Sequence, residues 1–164
     1  MSGRITYPVF DQETWIGVIE GAHPAVPYDE TIDYKVMIDT YDRVDNTSGT
    51  YSPLNTAART YNLLAALGVP DDKISMALII HGGAVDAFLS DEAYQARFNR
   101  DNPNLPLIRA MHAQGVKFYV CGQTLGFRNI PNEDMCEEAE VTLSAKTAMI
   151  IFDQRGYSYL NVNE

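Results

Sequence analysis

Short apolar, β-branched runs alternate along this chain with longer segments of helical period, and that rhythm predicts an α/β domain. The run "YKVMID" (34–39) is the first strand. After the polar loop "DRVDNTSGTYS" comes a helix in which Pro53 suits the first turn. Leu54, Ala57, Ala58, Tyr61, Leu64 and Ala65 share one of its faces, and Gly68 and Pro70 stop it. The segment "KISMALIIHGG" (73–83) is apolar nearly throughout, as a strand covered on both sheet faces would be. Two helices follow. Ser90 caps "SDEAYQARF" ahead of Asp91 and Glu92, and Gly115 closes "NLPLIRAMHAQG". "VKFYVCGQTL" (116–125) contains strand three, "NIPNEDMCEEAE" is a short helix or loop, and "EVTLS" is a brief fourth strand. "SAKTAMIIFDQRG" (144–156) is either a strand or a helix; its length, Ser144 as cap and Gly156 as stop favour a buried helix, with "YSYL" as the last strand. The first 33 residues, with Pro8, Trp15, Pro24 and Pro27, fit neither period and are expected to form an extension packed on a single domain spanning residues 34–164.

In open parallel sheets, reactive groups and ligands gather beyond the carboxyl ends of the strands. The first three strands end on Asp39-Thr40-Tyr41, on His81-Gly82-Gly83 and on Cys121-Gly122-Gln123. If they run parallel, these groups share one rim. A thiol at such a turn is either a small packed hydrophobe or a nucleophile, because backbone N–H groups there stabilise thiolate. His81 is correspondingly either a hydrogen-bonded structural histidine or a proton acceptor near Cys121, and in its protonated form it would lower the thiol pKa. His23 and His112 show no partner spacing and are expected to be structural or solvated.

Composition narrows the chemistry. The chain has 164 residues, 46% of them hydrophobic, enough for one compact core. With 12 basic and 22 acidic residues the formal charge is −10, which disfavours nucleic acid and anionic membrane surfaces as partners. No run reaches the ~20 apolar residues of a membrane span, and Met1-Ser2-Gly3-Arg4 does not lead into a signal-peptide core. Two cysteines make no disulfide framework. A cytoplasmic location is therefore expected, with the periplasm as the alternative if a native leader has been removed. Phosphate-loop, dinucleotide, Cys-x-x-Cys, zinc and calcium spacings are all missing, so no cofactor and no metal are expected.

The segments "NTAARTYNLLAALGVP", "ALIIHGGAVDAFLSDEAYQARF", "DNPNLPLIRAMHAQGVKFYVCGQTL" and "LSAKTAMIIFDQRGYSYL" together resemble the DsrE/DsrF-like family of YchN- and TusD-type proteins, over roughly residues 34–161. The most specific part is His-Gly-Gly after strand two combined with Val-Cys-Gly-Gln after strand three. The resemblance implies a flavodoxin-like three-layer α/β/α domain with a mainly parallel sheet of about five strands, assembled into homotrimers or hexamers. It also implies a cysteine that receives sulfane sulfur as a persulfide and passes it between donor and acceptor proteins. Matched residue by residue, the sulfur-bearing position is Cys121. Gly82, Gly83 and Gly122 would offer N–H donors to the persulfide, Gln123 would complete the ligand site, and His81 would tune protonation. Cys136 matches no family cysteine and reads as an incidental surface thiol or a resolving partner. The alternatives are a non-catalytic oligomeric domain that binds a small ligand, and a thiol redox sensor.

Overall fold

The computed structural model describes residues 3–20 and 23–163; Met1 and Ser2, which bear on the question of a leader, lie outside the described residues, as do Gly21, Ala22 and Glu164. Strands β1 (Ile5–Thr6) and β2 (Val18–Ile19) form a small antiparallel ribbon. The main sheet comprises β3 (Tyr34–Thr40), β4 (Ile74–Ile80), β5 (Lys117–Cys121), β6 (Ala139–Thr142) and β7 (Ser158–Asn161). Their order is β6-β5-β4-β3-β7 and every pairing is parallel. The helices are α1 (Ser52–Leu67), α2 (Asp91–Phe98), α3 (Leu105–Ala113), α4 (Gly122–Arg128) and α5 (Ala145–Gln154). The domain is thus a flavodoxin-like three-layer α/β/α fold.

Strand order explains the layering. From β3 through β6 the chain steps across the sheet in one direction, then returns to place β7 on the far side of β3. Right-handed crossovers put connections of opposite direction on opposite faces. The large core accordingly packs α1, α2 and α3 against Val36, Ile38, Met76, Leu78, Ile80, Phe118 and Val120. On the other face Ala145 and Ala148 of α5 meet Met37, Ile79 and Cys121.

The 144–156 segment is a helix, but its expected burial is incorrect. Only Ala145 and Ala148 of α5 are buried, and Ile150 and Ile151 face outward, because α5 packs on the sheet through one side only. In the N-terminal segment, Phe10, Ile16 and Val18 are buried. The anchor is Asn62 of α1, whose Oδ1 accepts from Val9 and Phe10 N–H while its Nδ2 donates to the carbonyls of Phe10 and Ile16. No helix among the described residues is long and apolar enough to cross a membrane.

Candidate functional site

The register brings three strand ends level. Ile80 pairs with Val120 and Thr40 with Ile80, so the next residues, His81 and Cys121, stand on neighbouring strands at the same height. His81 N–H donates to the Thr40 carbonyl at 3.0 Å, carrying the ladder one residue past β4. Alternation along each strand then places Asp39, His81, Cys121 and Tyr159 on the face covered by α5.

Cys121 is buried at the start of α4. Burial raises its thiol pKa, but the N–H groups of Thr124, Ala145 and Gln123 and the Thr124 hydroxyl outweigh that, and the thiol lies below its ordinary value. These donors come from the first turns of α4 and α5, so the two helix starts converge on one sulfur. Cys136 is the opposite case. Desolvation, reinforced by the Glu138 carboxylate, pushes its thiol up to about 12. The surface-thiol reading of Cys136 is therefore wrong: the residue is buried, and it belongs to the α1–α3 core while Cys121 belongs to the α5 core. The sheet itself separates the two sulfurs, so a resolving bridge would require the fold to open.

The glycines serve this packing. Gly82 has φ +57, the left-handed region that favours glycine, and its N–H donates to Thr124 Oγ1 at 3.2 Å. Thr124 thereby ties the β4 loop to the loop holding the thiol. Gly83 N–H donates to the Tyr41 carbonyl at 3.1 Å, and a Cβ there would fall 2.8 Å from Arg43 Cα. At Gly122 a Cβ would meet the Thr142 carbonyl oxygen at 2.7 Å, so glycine is needed for the approach of β6 rather than for access to sulfur. Gln123 Nε2 donates outward to the Leu143 carbonyl at 3.2 Å, and only its backbone N–H addresses Cys121. The donors expected of Gly82 and Gly83 are thus already engaged by protein oxygens.

His81 turns toward β3, where its Nε2 lies 2.7 Å from Asp39 Oδ1 and its ring sits 5.4 Å from that of Tyr41. The Tyr159 hydroxyl donates to the other Asp39 oxygen. Asn163 closes the crevice between β3 and β7: its Oδ1 accepts from Tyr41 and Asp42 N–H, and its Nδ2 donates to the Asp39 carbonyl. On the other side of Gly82, Arg128 donates to its carbonyl and forms a two-point ion pair with Asp86 at 2.9 and 3.0 Å. A cleft of about 440 Å³ opens there between Arg43, Val44, Gly82, Gly83, Asp86, Phe98 and Arg128. Thr124, Tyr159 and Arg128 escaped the sequence reading because each reaches the rim from an element whose own pattern reports only helix or strand, and Asn163 because it lies in the tail beyond β7. His23 and His112 are not part of this arrangement, and no cluster of three or more potential metal ligands occurs among the described residues.

A parallel α/β/α sheet with a donor-surrounded thiol and an Asp–His pair at its carboxyl rim defines a flavodoxin-like thiol protein. The chain belongs to the DsrE/DsrF-like family, whose sequence model matches residues 39–162. Among solved structures it is similar to the protein of unknown function MTH1491 from Methanobacterium thermoautotrophicum, at 20% identity over 79% of this chain and 99% of that one, with a TM-score of 0.58. It is also similar to the YchN protein of E. coli, at 16% identity over 78% of this chain and 98% of the other, with a TM-score of 0.55. At these identities the likeness concerns the fold. No curated protein matches the sequence.

Proposed function

We propose that this protein is a sulfur carrier in which Cys121 accepts sulfane sulfur as a persulfide and surrenders it to a second nucleophile. The observation that supports this reading is the contrast between its two thiols: three N–H groups and a hydroxyl stabilise thiolate at Cys121, while burial and a carboxylate suppress it at Cys136. Thiolate is the attacking form in sulfur exchange, and the same donors would hold the anionic persulfide afterwards. Gly82, Gly83 and Gly122 shape the rim through their lack of side chains, Gln123 contributes its N–H, and His81 stands on the strand next to that of the reacting cysteine, at the same height. The chain works as a homo-oligomer, trimer or hexamer, and exchanges sulfur with donor and acceptor proteins in the cytoplasm.

Intact mass after incubation with a low-molecular-weight persulfide tests this. The protein is expected to gain one sulfur atom, Cys121→Ser to gain none, and Cys136→Ser to behave as the parent. Addition at Cys136 instead would refute the assignment. A second reading, a non-catalytic domain that binds a small ligand, is favoured by the cleft beside Gly82 and Gly83. It predicts a thiol that alkylates only after unfolding.

A further inference from the structure

The Asp39–His81–Tyr159 cluster occupies the crevice between β3 and β7, where the strand order reverses. Such switch points are where open α/β sheets place their working groups. Asp39 is itself buried and holds two partners, His81 and Tyr159, one on each carboxylate oxygen. Burial disfavours its charged form, but the hydrogen bonds from His81 and Tyr159 prevail, and the carboxyl lies below its ordinary value. The Tyr159 phenol is correspondingly raised, to about 12, chiefly by its hydrogen bond to Asp39, so it remains a donor at neutral pH.

That fixes the proton on the imidazole. An ionised carboxylate only accepts, so Nε2 must carry hydrogen, and neutral His81 has its lone pair on Nδ1. Nδ1 has no hydrogen-bond partner among the described residues. His81 stands one strand from Cys121 at the same height, a separation of about 4.8 Å between backbones. Its loop is fastened to the thiol's loop through Gly82 and Thr124.

We propose that Asp39 and Tyr159 are positioning residues that hold His81 as the proton carrier for sulfur transfer at Cys121, with Nδ1 as the exchanging nitrogen. This rests on the sulfur-carrier reading. The thiol proton passes to Nδ1. Cys121 thiolate then attacks the outer sulfur of a persulfide R–S–SH, forming a new S–S bond while the old one breaks and its electron pair leaves on R–S⁻. Nδ1–H returns the proton to R–S⁻. Cys–SH and R–S–SH thus become Cys–S–SH and R–SH, with no outside oxidant or reductant.

Two measurements test the proposal separately from the sulfur reading. In ¹⁵N-labelled protein, assigned with His81→Gln, two-bond nitrogen–proton correlation spectra at neutral pH should show His81 protonated on Nε2, with Nδ1 either bare or rapidly exchanging. A neutral Nδ1–H tautomer overturns the proposal. In single-turnover sulfur uptake from glutathione persulfide, His81→Gln should be slower by about a hundredfold. Asp39→Asn should lose most of the same rate and show mixed tautomers, because an amide can accept or donate. Should Asp39→Asn not fold, Tyr159→Phe serves: it should keep the Nε2–H tautomer and slow uptake by less than His81→Gln does. Unchanged uptake in folded His81→Gln overturns the relay. If the parent takes up no sulfur, the carrier reading falls, and iodoacetamide alkylation of Cys121 then decides: equal neutral-pH rates in parent and His81→Gln overturn the proton-carrier role.

Discussion

Thr124 shows how a single hydroxyl can serve structure and chemistry together: it accepts the Gly82 N–H and also lowers the pKa of Cys121. Thr124→Val keeps the shape and removes both interactions. A hydrogen bond to a charged group is worth about 1.5 kcal/mol, roughly one pKa unit, so alkylation of Cys121 at neutral pH should slow about tenfold. The sign follows from the direction of the shift. Losing a group that favours thiolate raises the pKa, so the neutral-pH rate falls while the rate above both pKa values is unchanged. A uniform loss at every pH would show that access to the sulfur, not its protonation, had changed. Gly122→Ala is governed by sterics instead: its Cβ would lie 2.7 Å from a backbone oxygen of β6, and a destabilisation of about 1–3 kcal/mol is expected in urea unfolding. Cys121 and His81 were legible in the sequence because glycines punctuate their strand ends. Tyr159 was not, since nothing local to residue 159 announces a carboxylate brought from residue 39 by the pairing of β3 with β7.

Among the elements, those whose burial matches their own periodicity were the readable ones. β4 is apolar and buried from Met76 to Ile80 because β3 and β5 flank it and helices cover both faces. α1 shows its buried stripe from Leu54 to Tyr61, and Gly68 ends it in the left-handed conformation. α5 has an equally apolar sequence but misleads about burial, since hydrophobic content cannot distinguish a helix buried by its own chain from one that awaits another surface. The N-terminal segment was illegible for a different reason. Besides the burial of Phe10, Ile16 and Val18, it is held by Asn62, which satisfies four backbone groups that no periodic pattern encodes. Asn62→Ala would leave these groups buried without partners, and a loss on the order of 3 kcal/mol is expected. Proteolysis should then cut first within residues 3–20. Cleavage that begins in the main domain would contradict an anchoring role.

At the scale of the whole molecule, several of the outward apolar side chains lie on α4, on α5 and on the segment just before α5. Gln123 and Phe127 lie one turn apart on α4, and Gln123 is bonded to the carbonyl of Leu143, so Phe127 and Leu143 border the same rim as Cys121. They are 88% and 71% exposed, and Ile150 of α5 is 62% exposed. A second surface surrounds Trp15, 78% exposed, on the N-terminal segment. Isolated exposed hydrophobics need no explanation, but large ones grouped around a proposed reaction rim match an interface. If copies associate through the α4–α5 surface, each partner covers the approach to the neighbour's thiol, and assembly controls which donors reach it. Light scattering should therefore give a multiple of the 18.3 kDa chain mass at micromolar concentration. The double substitution Phe127→Asp and Leu143→Asp should lower that mass and accelerate alkylation of Cys121. Trp15→Ala separates the two surfaces: unchanged mass with Trp15→Ala alongside a monomer with the double variant places the interface at the rim, and the reverse result places it on the N-terminal segment. A parent protein that scatters as a monomer would remove assembly from the mechanism, leaving the apolar rim as a surface for the sulfur donor or acceptor.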